Sequence, residues 1–392
     1  MATPRIFAKT IEASAQTQIH DLAHSEAYSH CDMAIMPDVH AGSGCTIGTV
    51  IKMQHPYRIV PNTVGVDISC GMLVIPLGKT KIDLPKLDDV IHKYVPCGFN
   101  IHEKPVLYFQ LFDQLRCKDI LDEEKVNCAI GSLGGGNHFI EVDDDSDGNH
   151  YLVVHSGSRN LGKKVCDHYQ QIALKRCSGG DQKKALVERL KSEGRKKEIQ
   201  TELKKLTPAI TNKDLAYLDE ERDKEAYENY INDMCICQDY ANLNRRTIVN
   251  LICQNMGWVY TDWFMTPHNY IDLMTMTIRK GAVEARDGQR IIIPMNMRDG
   301  SLICIGKGNS EWLSSAPHGA GRLMSRGEAR KTLSVEDFQN TMSGIYSSTV
   351  CAETIDEAPM AYKPASEIME CIKDTVEIVN VIKPIYNFKA KQ

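Results

Sequence analysis

The chain has 392 residues, of which 42% are hydrophobic and 25% charged, and its formal net charge at pH 7 is −5. This length and apolar content allow one large domain or two, each with its own core. The negative charge argues against bulk polyelectrolyte binding to nucleic acid, but it does not exclude a local basic groove.

Neither a secretion signal nor a membrane span is predicted. The first forty residues contain no apolar stretch with a basic flank, and no run of 18 apolar residues occurs. We therefore expect a cytoplasmic protein without a membrane partner. Fourteen cysteines are spread through apolar runs without any CxxC spacing, so we expect most of them to be reduced core residues.

The predicted elements alternate between strands and helices. Residues 1–60 predict a strand, a helix and a second strand that runs into a glycine-containing loop at 41–44. Further short strands are expected at residues 73–77, 151–154, 290–293, 302–305 and 379–382. Between them, residues 181–256 have the charged, amphipathic pattern of long helices. Candidate ligands occur on both sides of this block, so we interpret it as an insertion into a single domain, 1–392.

The first candidate site is a carboxylate and a thiol three residues apart. Asp67 and Cys70 lie in a turn made tight by Gly65 and Gly71. Alone, such a pair is more often a turn-capping aspartate beside a buried structural thiol. However, three histidines follow in similar glycine-rich or strand-end settings, namely His138, His155 and His268. A thiolate can bridge two cations, and imidazoles and a carboxylate can complete their coordination, so we predict a two-metal site.

Two further segments carry residues suited to phosphate chemistry. His155 is followed by two hydroxyls and Arg159, and a guanidinium is suited to a bidentate phosphate contact. His318 is flanked by small residues, with Arg322 and Arg326 four residues apart, a spacing that allows them to share a helix face. An imidazole can attack phosphorus as a nucleophile. The residues alone leave His318 open as a nucleophile, a sixth metal ligand or a core histidine at a helix N-terminus.

Together these stretches resemble the RtcB-type RNA ligases, which join RNA ends in tRNA splicing and RNA repair. The resemblance covers nearly the whole chain in the family's order, and its blocks are residues 36–40, 64–72, 131–142, 155–162, 239–246, 268–269 and 318–326. It implies a mixed α+β fold, in which large β-sheets pack against helices around a central metal cleft.

The resemblance also implies the ligands of two Mn²⁺ ions. Asp67, Cys70 and His138 would hold the first ion, and Cys70, His155 and His268 would hold the second. The softness of these ligands alone would favour Zn²⁺, so manganese is implied only by the resemblance.

A nucleotide site is implied as well. His318 matches the histidine that attacks the α-phosphate of GTP and becomes covalently bound to GMP. The residues expected around this nucleotide are Asn137, Glu141, Gly319, Ala320, Gly321, Tyr362 and Lys389, whereas Arg159, Arg322 and Arg326 are candidate RNA or phosphate contacts. The implied substrates are RNA 3′-phosphate or 2′,3′-cyclic phosphate ends and 5′-hydroxyl ends, and an archease-type activator is a candidate partner.

At two places the chain departs from the usual family pattern. Residues 41–45 read Ala-Gly-Ser-Gly-Cys instead of a Gln-Gly-Tyr-Gly-like run, and residues 294–298 read Pro-Met-Asn-Met-Arg instead of Pro-Gly-Ser-Met. These differences predict a divergent paralogue. Two alternatives to a ligase stay open, namely a dinuclear metal-dependent hydrolase of cyclic phosphates and a non-catalytic, metal-loaded RNA-binding protein. A covalent GMP on His318 would separate the ligase from both.

Overall fold

The computed structural model describes residues 3–205 and 212–390, so residues 206–211 of the predicted helical block lie outside the described part. The strands are β1 (Arg5–Ile6), β2 (Asp32–His40), β3 (Ile47–Lys52), β4 (Arg58–Ile59), β5 (Gly71–Gly78), β6 (Phe139–Asp144), β7 (His150–Ser156), β8 (Leu218–Asp219), β9 (Phe264–Pro267), β10 (Asn269–Asp272), β11 (Thr277–Lys280), β12 (Ala282–Glu284), β13 (Arg290–Asn296), β14 (Gly300–Gly306), β15 (Ser315–Pro317) and β16 (Val376–Lys389).

Helices cover the sheets and fill the segments between them. The α-helices are α1 (Ala13–Ala23), α2 (Pro61–Val64), α3 (Leu84–Tyr94), α4 (Glu123–Cys128), α5 (Arg159–Cys177), α6 (Gly180–Ser192), α7 (Ile199–Lys205), α8 (Lys224–Met256), α9 (Arg326–Thr332), α10 (Val335–Thr341) and α11 (Ala365–Cys371). The predicted mixed α+β class is confirmed. The strands predicted at 73–77, 151–154, 290–293 and 302–305 fall within β5, β7, β13 and β14.

The largest sheet has seven antiparallel strands in the order β13-β14-β16-β6-β7-β5-β9. Alternate side chains point to opposite faces of a strand. Ile140 and Val142 of β6 therefore join the apolar core on one face, whereas Phe139 and Glu141 point to the other. β16 is longer than predicted because its first half pairs with β14 and its second half with β6.

The long helix α8 connects two hydrophobic cores. Its first half contributes Tyr230 and Met234 to the core beneath the five-stranded sheet β1-β2-β3-β11-β10, and its second half packs Ile248 and Ile252 against the seven-stranded sheet. Part of the predicted insertion thus belongs to the central packing, while much of α6 is exposed. The assignment of the whole chain to one domain stays a prediction.

Two composition-based expectations concern cysteines and membranes. Ten of the fourteen cysteines are buried, in agreement with their predicted role in the core. Within the described residues, no helix combines the length and the apolar composition that crossing a bilayer would require.

Candidate active site

The predicted metal ligands meet because they stand at one end of four adjacent strands. Cys70 immediately precedes β5, His138 precedes β6, His155 lies near the end of β7, and His268 follows β9. In the antiparallel register, Gly71 pairs with both Ser156 and Pro267, and Phe139 pairs with His155. The sheet therefore brings together residues that are separated by up to about 200 positions in the sequence.

The five side chains form one chain of close contacts. Cys70 Sγ lies 3.2 Å from His138 Nε2 and 3.2 Å from His155 Nε2. His155 Nε2 is 3.4 Å from His268 Nε2, and Asp67 Oδ2 is 3.0 Å from His138 Nε2. Cys70 occupies the centre of this group, as a bridging thiolate between two cations would.

The protonation states favoured here are those of metal ligands. Burial, together with neighbouring histidines, lowers the pKa of His155 and His268 well below the usual value, so both imidazoles are neutral at pH 7. The carbonyl of Asn137 accepts a hydrogen bond from His155 Nδ1 at 3.2 Å, which leaves the lone pair on Nε2 directed at Cys70. The convergence of a thiol, a carboxylate and neutral imidazoles fits divalent transition-metal ions.

A buried guanidinium stands behind the thiol. Arg245 of α8 is fully buried and donates to the carbonyls of Ser69 at 2.7 Å and Ser156 at 2.8 Å. Burial and the Asp67 carboxylate raise the pKa of the Cys70 thiol well above its usual value, whereas Arg245 acts in the opposite direction. A bound cation would add to the effect of Arg245 and favour the thiolate.

The turn that carries Asp67 and Cys70 is itself constrained. Ser69 adopts a left-handed backbone with φ of 56°, which is costly for a residue with a side chain and typical of functional sites. Its N–H donates to Asn269 O at 2.6 Å, which ties the turn to the segment after His268. Ser158 N–H holds Asp67 Oδ1 at 2.9 Å.

Only glycine fits at position 134 of the glycine-rich run. Gly134 has φ of +96°, and a β-carbon there would clash with the Arg159 guanidinium and with His138 Nδ1. The glycine-rich run at residues 131–136 therefore accommodates two site residues. Arg159 itself donates to Ser132 Oγ and to Gly98 O, each at 3.0 Å, and it does not line the cavity described below. Its RNA contact stays a prediction.

His318 stands beside the metal ligands and is oriented by a buried carboxylate. Its ring lies 4.7 Å from that of His268 between centroids. Asp38 of β2 is fully buried, and its Oδ2 accepts from His318 Nδ1 at 2.6 Å and from the His318 N–H at 3.1 Å. A proton held on Nδ1 leaves Nε2 as the basic ring nitrogen. This arrangement suits a nucleophile.

A cavity of about 720 Å³ extends from His318 and is large enough for a nucleotide. All seven residues predicted around the nucleotide line it: Asn137, Glu141, Gly319, Ala320, Gly321, Tyr362 and Lys389. His155 also lines it, so the cavity reaches the candidate metal ligands. Both segments that depart from the family pattern contribute to the wall, through residues 41–43 and 294–297.

An ionic cluster forms one side of the cavity around the buried Glu357. Its carboxylate accepts from Tyr362 OH at 2.6 Å and lies near three cations, namely Lys389 at 2.9 Å, Arg322 at 3.4 Å and Arg326 at 2.5 Å. Burial alone would raise the pKa of Glu357, but these cations lower it to about 2. Arg326 also pairs with the Asp356 carboxylate at 2.6 Å, so three cations face two carboxylates, and this excess of positive charge attracts anions to the wall.

The prediction that Arg322 and Arg326 share a helix face is wrong. The helix α9 begins only at Arg326, and Arg322 pairs through its backbone with Tyr362. The two guanidinium groups nevertheless meet at Glu357, because the segment after His318 folds across the carboxylate. Both arginines line the cavity.

Glu141 gives a testable dependence of stability on pH. Burial raises its pKa from 4.5 to about 7, against the effects of Lys389 and of the hydrogen bond from Asn387. A carboxyl with a raised folded-state pKa costs stability as the pH rises through this interval. Glu141→Gln removes this cost, so the variant should have a higher free energy of unfolding than wild type at pH 8. The difference between variant and wild type should be larger at pH 8 than at pH 4.5 by up to about 3 kcal/mol. Urea denaturation at both pH values measures the difference, with the exposed Glu336→Gln as control; an equal effect at both would contradict the prediction.

Two important residues were not predicted as site residues. Asp38 lies in the Pro-Asp-Val-His sequence at the end of β2, and its backbone carbonyl accepts a hydrogen bond from His40 Nδ1 at 2.9 Å. Arg245 lies in the Asn-Arg-Arg sequence of a long helix, a setting typical of a solvated face. A buried position for Arg245 could have been recognised only from the apolar residues around it.

Known proteins resemble this chain over most of its length. The family model described as tRNA-splicing ligase RtcB matches residues 18–124 and 112–390. An RNA-splicing ligase RtcB1 of Escherichia coli (strain ATCC 25922) is 32% identical over 96% of this chain and 94% of its own length. The RNA-splicing ligase RtcB of E. coli K12 is 31% identical over the same shares. A tRNA-splicing ligase RtcB of Aeropyrum pernix is 25% identical over 86% of this chain and 83% of its own.

Proposed function

Because the chain belongs to the RtcB family of RNA ligases, we propose that it joins RNA 3′-phosphate or 2′,3′-cyclic phosphate ends to 5′-hydroxyl ends through a covalent GMP on His318. The observation that carries the proposal is the Asp38–His318 contact, because it leaves Nε2 of a cavity-lining histidine as the reactive nitrogen next to the ligand cluster. The reaction serves tRNA splicing or RNA repair.

Two Mn²⁺ ions suit the ligand cluster. Asp67, Cys70 and His138 would hold one, and Cys70, His155 and His268 the other. Bound there, such ions neutralise phosphate charge and favour the ionised form of an attacking hydroxyl. The protein's own contribution is to keep the His155 and His268 imidazoles neutral, and to place Arg245 behind the thiol so that its negative form is compensated.

His318 performs the nucleotide transfer. The Nε2 lone pair forms a bond to the α-phosphorus of GTP while the bond to the bridging oxygen breaks, and pyrophosphate leaves with the electron pair. Asp38 holds the Nδ1 proton and stabilises the positive charge that develops on the ring. The cationic wall around Glu357 lies on the same cavity, where it favours the departing phosphates.

The RNA steps follow from the adduct. Water first opens a cyclic phosphate to a 3′-phosphate. That phosphate then attacks the phosphorus on His318, so GMP passes to the RNA and the histidine is regenerated. The 5′-hydroxyl attacks the activated 3′-phosphate, forms the phosphodiester and releases GMP. In the joining step the 5′-hydroxyl therefore displaces GMP, whereas an unactivated 3′-phosphate would have to lose an oxygen anion, which is a poor leaving group.

The far part of the cavity supports guanine as the base. A carboxylate such as Glu141 can accept from two adjacent N–H groups of guanine, a pattern that adenine does not offer. Lys389 lies on the same face of the sheet, where its ammonium donates to Asn137 O at 3.1 Å and is available to a ring carbonyl oxygen. Asn137, Tyr362 and the Gly319–Gly321 backbone complete the proposed nucleotide site.

The test is incubation with α-³²P-GTP and Mn²⁺, followed by denaturing electrophoresis. We expect acid-labile label on the wild type and on His24→Ala, which removes an exposed histidine, but none on His318→Ala. Label that persists on His318→Ala would contradict the proposed nucleophile. Turnover of cyclic phosphate without any label on the wild type would instead select the hydrolase. Adding an archease-type protein to the same assay would test the candidate activator.

A further inference from the structure

Phe99 has the most exposed large hydrophobic side chain among the described residues. Its side chain is 97% exposed, compared with 89% for Met274 and 88% for Val259. Single exposed aliphatic residues are common on protein surfaces. A phenylalanine that is almost entirely in water gives up the favourable free energy of burying its ring, so folding stability does not explain its position.

The backbone that carries Phe99 is firmly attached to the active site. The Leu133 N–H donates to Pro96 O at 2.8 Å, and the Gly98 N–H donates to Gly134 O at 2.7 Å. Arg159 adds a hydrogen bond to the Gly98 carbonyl. The exposed ring is therefore held on a fixed segment of chain and not at the tip of a loose loop.

Two glycines lie between Phe99 and Arg326 of the cationic wall. A β-carbon at position 135 would meet Gly98 Cα at 3.6 Å, and one at position 136 would meet the Arg326 guanidinium at 3.7 Å. Gly135 and Gly136 are half-buried and lead directly to Asn137, whereas Gly134 before them is buried. Gly135 and Gly136, which we call the glycine bed, thus connect the segment of Phe99 to Arg326.

We propose that Phe99 is a stacking platform for an unpaired nucleobase of the RNA strand whose end is being joined. The proposal rests on the proposed function, since it places the strand's backbone along the glycine bed and its reacting end at the metal ligands. Every base has a π-face that can stack on an aromatic ring, independent of sequence. In the chain the ring is followed by the exposed Asn100, Glu103 and Lys104.

A fluorescent base tests this contact directly. Single-stranded RNAs with a 3′-phosphate or a 5′-hydroxyl end carry 2-aminopurine at successive positions from that end, and 2-aminopurine loses fluorescence when it stacks. On the wild-type chain we expect quenching at one position near the end. Phe99→Tyr should keep the quenching, and Phe99→Ala and Phe99→Leu should abolish it and weaken RNA binding on the order of tenfold. Met274→Ala, which removes an exposed side chain that has no glycine bed beside it, is the matched control.

Each outcome decides the proposal. Quenching that survives Phe99→Leu, or RNA affinity that is equal in wild type and Phe99→Ala, would overturn the proposal. Contact with a protein partner would then be the alternative role of the ring. The strand that shows the quenching identifies which end crosses the glycine bed. Binding and quenching require no catalysis, so they can succeed when GTP labelling fails. The failure of the proposed function is therefore distinguishable from the failure of this contact.

Discussion

Replacing Asp38 by asparagine should reduce formation of the covalent nucleotide adduct by about 10³- to 10⁴-fold, with the fold retained. The carboxylate accepts a hydrogen bond from His318 Nδ1–H, whereas an asparagine amide can donate to that nitrogen and so favours the tautomer protonated on Nε2. That tautomer has no lone pair for attack on phosphorus. The corresponding change in serine proteases lowers kcat by about 10⁴ for the same reason.

The measurement is the rate of GTP labelling, combined with ¹⁵N NMR of the His318 ring to identify the protonated nitrogen. Asp233→Asn is a matched control, because Asp233 is also fully buried but serves the Arg116 and Cys117 N–H groups and Tyr169. It should lower stability without changing the labelling rate of the folded protein. An Asp38→Asn variant with unchanged tautomer and reduced labelling would show that Asp38 acts only through packing.

The convergence of the candidate metal ligands was predictable because each has a local signature. Cys70, His138 and His268 adjoin the ends of strands, and such ends with glycines nearby mark places where side chains leave the core and converge. The strands themselves follow from short apolar runs. The order in which they pair, β6-β7-β5-β9, does not follow from any local pattern, so the resemblance to a family was needed to divide the candidate ligands between two ions.

The residues that support the site were harder to predict. Asp38 and His318 are 280 positions apart, and the tertiary fold alone determines their contact. Arg245 has a sequence typical of an exposed helix, but the helix is enclosed by two cores. The prediction of a helix at Arg322 was wrong for a related reason. The contact of Arg322 with Glu357 joins residues that are distant in sequence, and it outweighs the helical preference that the four-residue spacing indicates.

Cys70→Ala should abolish the binding of both metal ions and, with it, RNA joining. Cys70 is the one side chain within 3.2 Å of both His138 and His155 among the ligands described, so its thiolate would be shared between the two ions. Loss of a ligand that serves a single ion usually weakens the binding of that ion alone. Loss of a shared thiolate also leaves Asp67 as the remaining negative charge beside the buried Arg245, which further opposes cation binding.

Metal content and thermal stability together test whether Cys70 is shared. We expect two ions for wild type, close to one for either Asp67→Asn or His268→Ala, and none for Cys70→Ala, by metal analysis after dialysis. Added Mn²⁺ should raise the melting temperature of wild type but not of Cys70→Ala, because only a bound ion shifts the unfolding equilibrium. Cys304→Ala, which removes another fully buried thiol, should keep both ions and lose only packing energy. If Cys70→Ala retained one ion at full occupancy, the thiol would belong to a single metal, and the two sites would be independent of each other.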